Sequence, residues 1–168
     1  MTDSTSQPST STVSGATPTS GLTHVRADGT AHMVDISAKK VTARRAAASG
    51  MVLLSAAAVA ALRGGAVPKG DALGVARVAG IQAVKRTPDL IPLAHPVVVH
   101  AVEVDLDVVD EGVRISAVVR TADRTGIEME ALTAVSVAAL ALVDMVKAVG
   151  KHARITDIRV TAKSGGRS

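Results

Sequence analysis

Asp144 and Lys147 stand three residues apart in "ALVDMVKAVG", and so on one face of a helix. Opposite charges at that spacing make an ordinary ion pair at a wet helix edge or, where water is kept away, a coupled acid–base pair. The apolar flanks Ala141, Leu142, Val143, Met145 and Val146 leave both readings open. A second stretch, "LIPLAHPVVVH", holds His95 between Ala94 and Pro96, with Pro92 shortly before. Prolines this close stiffen the chain and remove ladder donors, so the imidazole sits in a rigid, non-repetitive segment. It is either a placed donor or a plain turn histidine. His100 does not pair with it on a metal, because an odd separation along extended chain sends the two rings to opposite faces. In "RTGIEMEAL", Thr125 and Glu128 have the spacing of a capping box, and Glu130 is favourable near a positive helix end. Lys69, just ahead of Asp71, reads by itself as an exposed loop lysine. Lys163, followed by Ser164, Gly165 and Gly166, is a frayed basic tail or a lid over an anion.

These groups need a scaffold, and the hydrophobic pattern supplies one. "AHMVDIS" reads as a short extended lead-in and "AAASGMVLLS" as a strand. "AAAVAALRGG" is a short helix closed by Gly64 and Gly65. Asp71 is the expected N-cap of the next helix, and Pro88 ends it near Arg86. In "VEVDLDVV", Val102, Val104, Leu106 and Val108 alternate with acids, the mark of a strand with one wet face. "DEG" turns the chain into "VRISAVVR", whose arginines suit an antiparallel hairpin partner. "RTGIEMEALTAVSVAALALVDMVKAVG" predicts a helix of about six turns, apolar on nearly every side and so packed on more than one surface. "ARITDIRVTAK" puts Ile158, Val160 and Ala162 on one face of a last strand. The order strand, helices, strand, strand, helix, strand predicts an α+β, ferredoxin-like fold: a four-stranded antiparallel sheet with its helices on one face.

Composition narrows the chemistry. Of the 168 residues none is Phe, Tyr, Trp or Cys, so base-stacking single-strand binders, disulfides, thiolate metal sites and iron–sulfur clusters are all disfavoured. "GGAVPKGD" lacks the spacing of a nucleotide-binding loop, which leaves any phosphate site to side chains and helix ends. The net charge of +4 is spread along the chain and suits an anionic ligand as well as a nucleic acid. Residues 1–21 are Ser/Thr-rich and poor in apolar groups, an expected disordered tail before a single catalytic domain over 22–168. That tail lacks the features of a secretory signal, so cytoplasm is the expected location. The apolar run Ala131–Val143 is too short for a bilayer, which needs about 20 residues, and predicts a core helix rather than a membrane span.

Taken together, "MVDIS", "KGD…ARVAGIQAVKRTPDLIPLAHP", "GIEMEALTAVSVAALALVDMVKAV" and "AKSGG" resemble the molybdenum cofactor biosynthesis protein C family, the cyclic pyranopterin monophosphate synthases. The resemblance implies a lyase that converts 3',8-cyclo-7,8-dihydroguanosine 5'-triphosphate to cyclic pyranopterin monophosphate with release of pyrophosphate. It implies a homohexamer, a trimer of dimers, with sites at subunit interfaces. No cofactor and no protein-bound metal are implied, and assistance by a divalent cation is left open. By position, the family's catalytic aspartate falls on Asp144 and its two lysines on Lys147 and Lys69. Its substrate-binding positions fall on Leu93, Ala94, His95, Glu128, Met129, Glu130 and Lys163. Ala94 stands where many relatives carry cysteine. A basic nucleic-acid module and an inactive paralogue are the competing readings. Scattered charge and missing aromatics oppose the first, and chemically competent residues at every motif position oppose the second.

Overall fold

The computed structural model describes residues 24–166 except Ala27, in two compact units, Met1–Val34 and Asp35–Ser168. The tail expected over residues 1–21 lies outside the described residues. In the first unit Val25 and Ala31 form an isolated antiparallel bridge around a turn, where Asp28 Oδ1 accepts from the Thr30 amide at 2.9 Å. "AHMVDIS" forms no strand beyond that bridge.

The second unit runs β1 (Thr42–Leu53), α1 (Ala56–Arg63), α2 (Ala72–Val84), α3 (Thr87–Leu90), β2 (Val99–Val109), β3 (Gly112–Asp123), α4 (Glu128–Val146) and β4 (Arg154–Ser164). The strands pair antiparallel in the order β2-β3-β1-β4. With its βαββαβ chain order this is the expected ferredoxin-like α+β plan. The β2–β3 hairpin sets Asp107 opposite Arg114 and ion-pairs Glu103 with Arg120. Asp71 caps α2, its Oδ1 accepting from the Gly74 amide at 2.8 Å. Pro88 ends that helix and also opens the four-residue α3, because its fixed φ suits a first helical turn.

One face of the sheet makes the core. Val104, Leu106, Ile115, Val119, Ala48 and Val52 pack with Ala131, Ala134, Val135, Ala138 and Leu142 of α4. On its other side α4 meets α2 so closely that a Cβ on Gly80 would lie 2.9 Å from the Ala134 carbonyl oxygen. Sheet on one side and helix on the other explain why α4 is apolar all round. By length and composition α4 could cross a membrane, and half of that stretch is buried inside the domain, as the core reading requires.

Two expectations fail at the ends of elements. The Thr125–Glu128 capping box does not form: α4 begins at Glu128, its N-cap Ile127 makes no side-chain bond, and Glu128 lies 3.4 Å from Lys163 Nζ instead. A cation on the adjacent strand takes the carboxylate that the cap would have used. In β4 the register against β1 slips at Ala47/Ala48 and again at Ser49/Met51, and Asp157 takes φ 56°. Each bulge turns the following side chains over. Val160 therefore pairs with Ala48 on the helix side, while Ala162 pairs with Ala47 on the opposite face.

Candidate active site at the two ends of the long helix

The C-terminal end of α4 gathers charge from distant sequence. Helix ends leave carbonyls without intrahelical donors, and Lys69 fills one: its Nζ donates to the Asp144 carbonyl at 2.9 Å and to Asp144 Oδ2 at 2.8 Å. The α1–α2 loop brings it there, turned by Gly70 at φ +96° and followed by the Asp71 cap. Lys147, the C-cap, pairs with Asp144 Oδ1 at 2.7 Å from one turn along the same helix. Two ammonium groups thus grip both oxygens of one carboxylate. Hydrogen bonds from Lys147 first and Lys69 second lower the Asp144 pKa to about 2. The carboxyl remains 56 % exposed, so the knot is open to a ligand. Lys69, an inert loop lysine when read by itself, belongs to the centre of this site.

The other expected residues lie at the opposite end. Glu128, Met129 and Glu130 form the first turn of α4. Glu128 pairs with Lys163 near the end of β4, and Met129 is 40 % exposed. Glu130 is only 2 % exposed, and burial, with Glu128 nearby, raises its pKa above the ordinary carboxylate value. Leu93, Ala94 and His95 occupy the loop between α3 and β2. Register ties that loop to the same end: Val99 pairs with Thr121, which also donates to the Val98 carbonyl, and Asp123 pairs with Thr42.

This end also carries cations that sequence reasoning missed. Lys39, Lys40, Arg44 and Arg124, with Thr42, Thr125, Gly126 and Gly166, line an open hollow of about 740 Å³. Arg44 Nε donates to the Asp123 carbonyl at 3.3 Å, and Arg124 Nε to the Lys39 carbonyl at 3.0 Å. Both arginines are thereby fixed at the rim. Gly166, at φ +80°, lies against the Arg44 guanidinium, where a side chain would collide. The signal was present in the sequence: basic residues just before β1 and just after β3 must meet once those strands pair antiparallel.

From Glu128 to Asp144 the helix rises about 24 Å at 1.5 Å per residue. A single chain therefore brings Lys69, Asp144 and Lys147 together and holds Glu128, Glu130, Lys163 and the basic hollow at the far end. Among the described residues no cluster of three or more His, Asp or Glu could hold a metal ion.

Known proteins resemble this chain over nearly its whole length. The MoaC family matches residues 33–166. A protein of Streptomyces coelicolor named cyclic pyranopterin monophosphate synthase is 63 % identical over 155 residues, covering 92 % of this chain and 91 % of the relative. Relatives of the same name from a Nocardioides species (65 % over 150 residues, 88 % and 92 % covered) and Corynebacterium glutamicum (55 % over 149 residues, 89 % and 96 % covered) are also similar.

Proposed function

The chain belongs to the MoaC family, and from that premise we propose that it acts as a cyclic pyranopterin monophosphate synthase in molybdenum cofactor biosynthesis. The substrate is the cyclised dihydro-GTP, and pyrophosphate leaves. The observation that carries the reading is the Lys69–Asp144–Lys147 knot, whose members match the family's catalytic positions and close on one carboxylate.

The geometry suits the reaction. A triphosphate is a better acceptor for two ammonium groups than one carboxylate, and charge-assisted hydrogen bonds to it are strong. As Lys69 and Lys147 turn to the phosphates, Asp144 loses the groups that hold its pKa down. It then becomes able to take a proton, including the one released when a ribose oxygen attacks the α-phosphorus. That attack forms one P–O bond and breaks another, and pyrophosphate departs with its charge matched by the lysines. In the resting chain Asp144 is an anchor. Substrate makes it a base.

The distance between the two ends of α4 supports a composite site. It exceeds what a nucleotide-sized substrate spans, so the knot of one protomer works with the basic hollow, Glu128, Glu130 and Lys163 of another. A homohexamer, built as a trimer of dimers with sites between subunits, satisfies that requirement, and the protein acts in the cytoplasm. Purified protein given the cyclic dihydro-GTP yields cyclic pyranopterin monophosphate and one equivalent of pyrophosphate, followed by chromatography and a coupled phosphate assay. An assembled, folded protein that leaves this substrate unchanged would overturn the reading.

A further inference from the structure

His100 is exposed and belongs neither to the core nor to the Asp144 knot, yet the fold gives it a specific place. It stands where β2 begins and where the β2–β3 register slips. Val99 pairs with Thr121 and Ala101 with Arg120, so His100 is the extra residue of a bulge. Beyond this point β3 continues against β1, with Ala122 opposite Ala43 and Asp123 opposite Thr42. On the β2 side the ladder has ended, and Ala122 has no strand partner there. The His100 ring takes that role: the Ala122 N–H donates to Nδ1 at 3.4 Å.

This contact fixes the state of the ring. An amide N–H can only donate, so Nδ1 accepts and the ring hydrogen sits on Nε2. Thr121 completes the arrangement. Its hydroxyl donates to the Val98 carbonyl, and its oxygen lies 3.4 Å from the same Nδ1. Thr121 is only 5 % exposed, so water competes little for the Val98 bond. Two side chains thus stand in for the ladder at the start of β2. Thr121 holds Val98, and His100 holds the bulge.

The segment held by this latch carries His95. Upstream, a turn closes it: the Ala94 amide donates to the Ile91 carbonyl at 3.0 Å, and the Ile91 amide to the Thr87 carbonyl at 2.9 Å. Downstream, only Pro96 and Val97 separate His95 from the anchored Val98. Proline's fixed φ removes one of the few torsions that could absorb a shift, and Val97 packs against the core. A displacement at the start of β2 therefore reaches His95 with little loss. We propose that His100 is a positioning residue, whose Nδ1 ties the start of β2 to β3 and so sets where His95 meets the substrate. This rests on the reading that His95 binds the cyclic dihydro-GTP.

Two substitutions separate the acceptor from the rest of the side chain. Asparagine carries an acceptor, Oδ1, as many bonds from the backbone as Nδ1, so His100→Asn keeps the latch and His100→Ala removes it. His100→Ala is expected to lower kcat/KM for the cyclic dihydro-GTP about ten-fold, through misplacement, with an unchanged circular dichroism spectrum. His100→Asn stays within about two-fold of the parent, since the hydrogen bond is kept. The double variant His95→Ala/His100→Ala is no slower than His95→Ala, because a group that acts through His95 has nothing left to place. A substrate contact made by His100 itself would instead multiply the losses. Parental kcat/KM in His100→Ala, a His100→Asn protein as impaired as His100→Ala, or multiplied losses in the double variant would overturn the proposal. Deuterium exchange at the Ala122 amide, read by mass spectrometry on short peptides, follows the latch without substrate. It is faster in His100→Ala and parental in His100→Asn. Exchange that responds in this way in a protein that leaves the cyclic dihydro-GTP unchanged refutes the activity and keeps the latch. Turnover with exchange and kcat/KM both indifferent to the His100 substitutions refutes the latch and keeps the activity.

Discussion

At one end of α4 the Asp144 carboxyl is more than half exposed, and the Lys147 and Lys69 ammonium groups hold its pKa at about 2. At the other end of the same helix Glu130 is 2 % exposed, and burial moves its pKa in the opposite direction. Two carboxyls on one helix are thus shifted in opposite directions through their surroundings alone. The contrast extends to their neighbours. The Asp144 end holds cations already engaged with a carboxylate, whereas the Glu130 end holds a wide basic hollow. The first arrangement suits chemistry on phosphorus and the second suits holding a polyanion.

Breaking the Asp144 end carries the largest effect. Lys147→Ala and Lys69→Ala each lower kcat by at least about 100-fold, the scale of one positioned group lost from a transition state. Turnover close to the parental value in either would show that the knot is structural. At the other end, Arg44→Ala combined with Lys163→Ala raises KM about ten-fold with much less change in kcat, since ground-state binding is what is lost. A kcat loss as deep as that of Lys147→Ala would erase the distinction between the ends. The smallest effect belongs to Glu130→Gln. Because the folded pKa is raised, the native chain binds its proton more tightly than the unfolded chain. Stability therefore falls as pH rises above the ordinary value of 4.5. The amide removes that loss, so Tm at pH 7.5 rises by a few degrees and the gain disappears below about pH 4.5. Differential scanning calorimetry across this range checks the sign, and an equal gain at every pH would contradict it.

Much of this arrangement was legible in the sequence, for physical reasons. The alternation in "VEVDLDVV" and "VRISAVVR", the Asp71 cap and the length of the apolar helix all report local forces, and the structure follows them. Contacts set by competition were not legible. Glu128 had the spacing of a cap, but Lys163, 35 positions later, takes its carboxylate. The two bulges in β4 leave no mark in a pattern that reads as plain alternation. Lys69 looked inert because its partner is 75 positions away and becomes a neighbour only once α1 and α2 have folded back. Even the motif residues, all present in order, do not announce that the fold divides them between opposite ends of one helix.

That division makes the composite site testable by complementation. Lys147→Ala and Arg44→Ala/Lys163→Ala proteins, each of low activity at substrate well below the parental KM, are dissociated, mixed in equal amounts and reassembled, and turnover of the cyclic dihydro-GTP is then measured at that substrate level. Random pairing makes half the dimers mixed, and each mixed dimer has one site with both ends intact, so about a quarter of the parental activity returns. A mixture no more active than the mean of its parents would contradict a site shared between protomers.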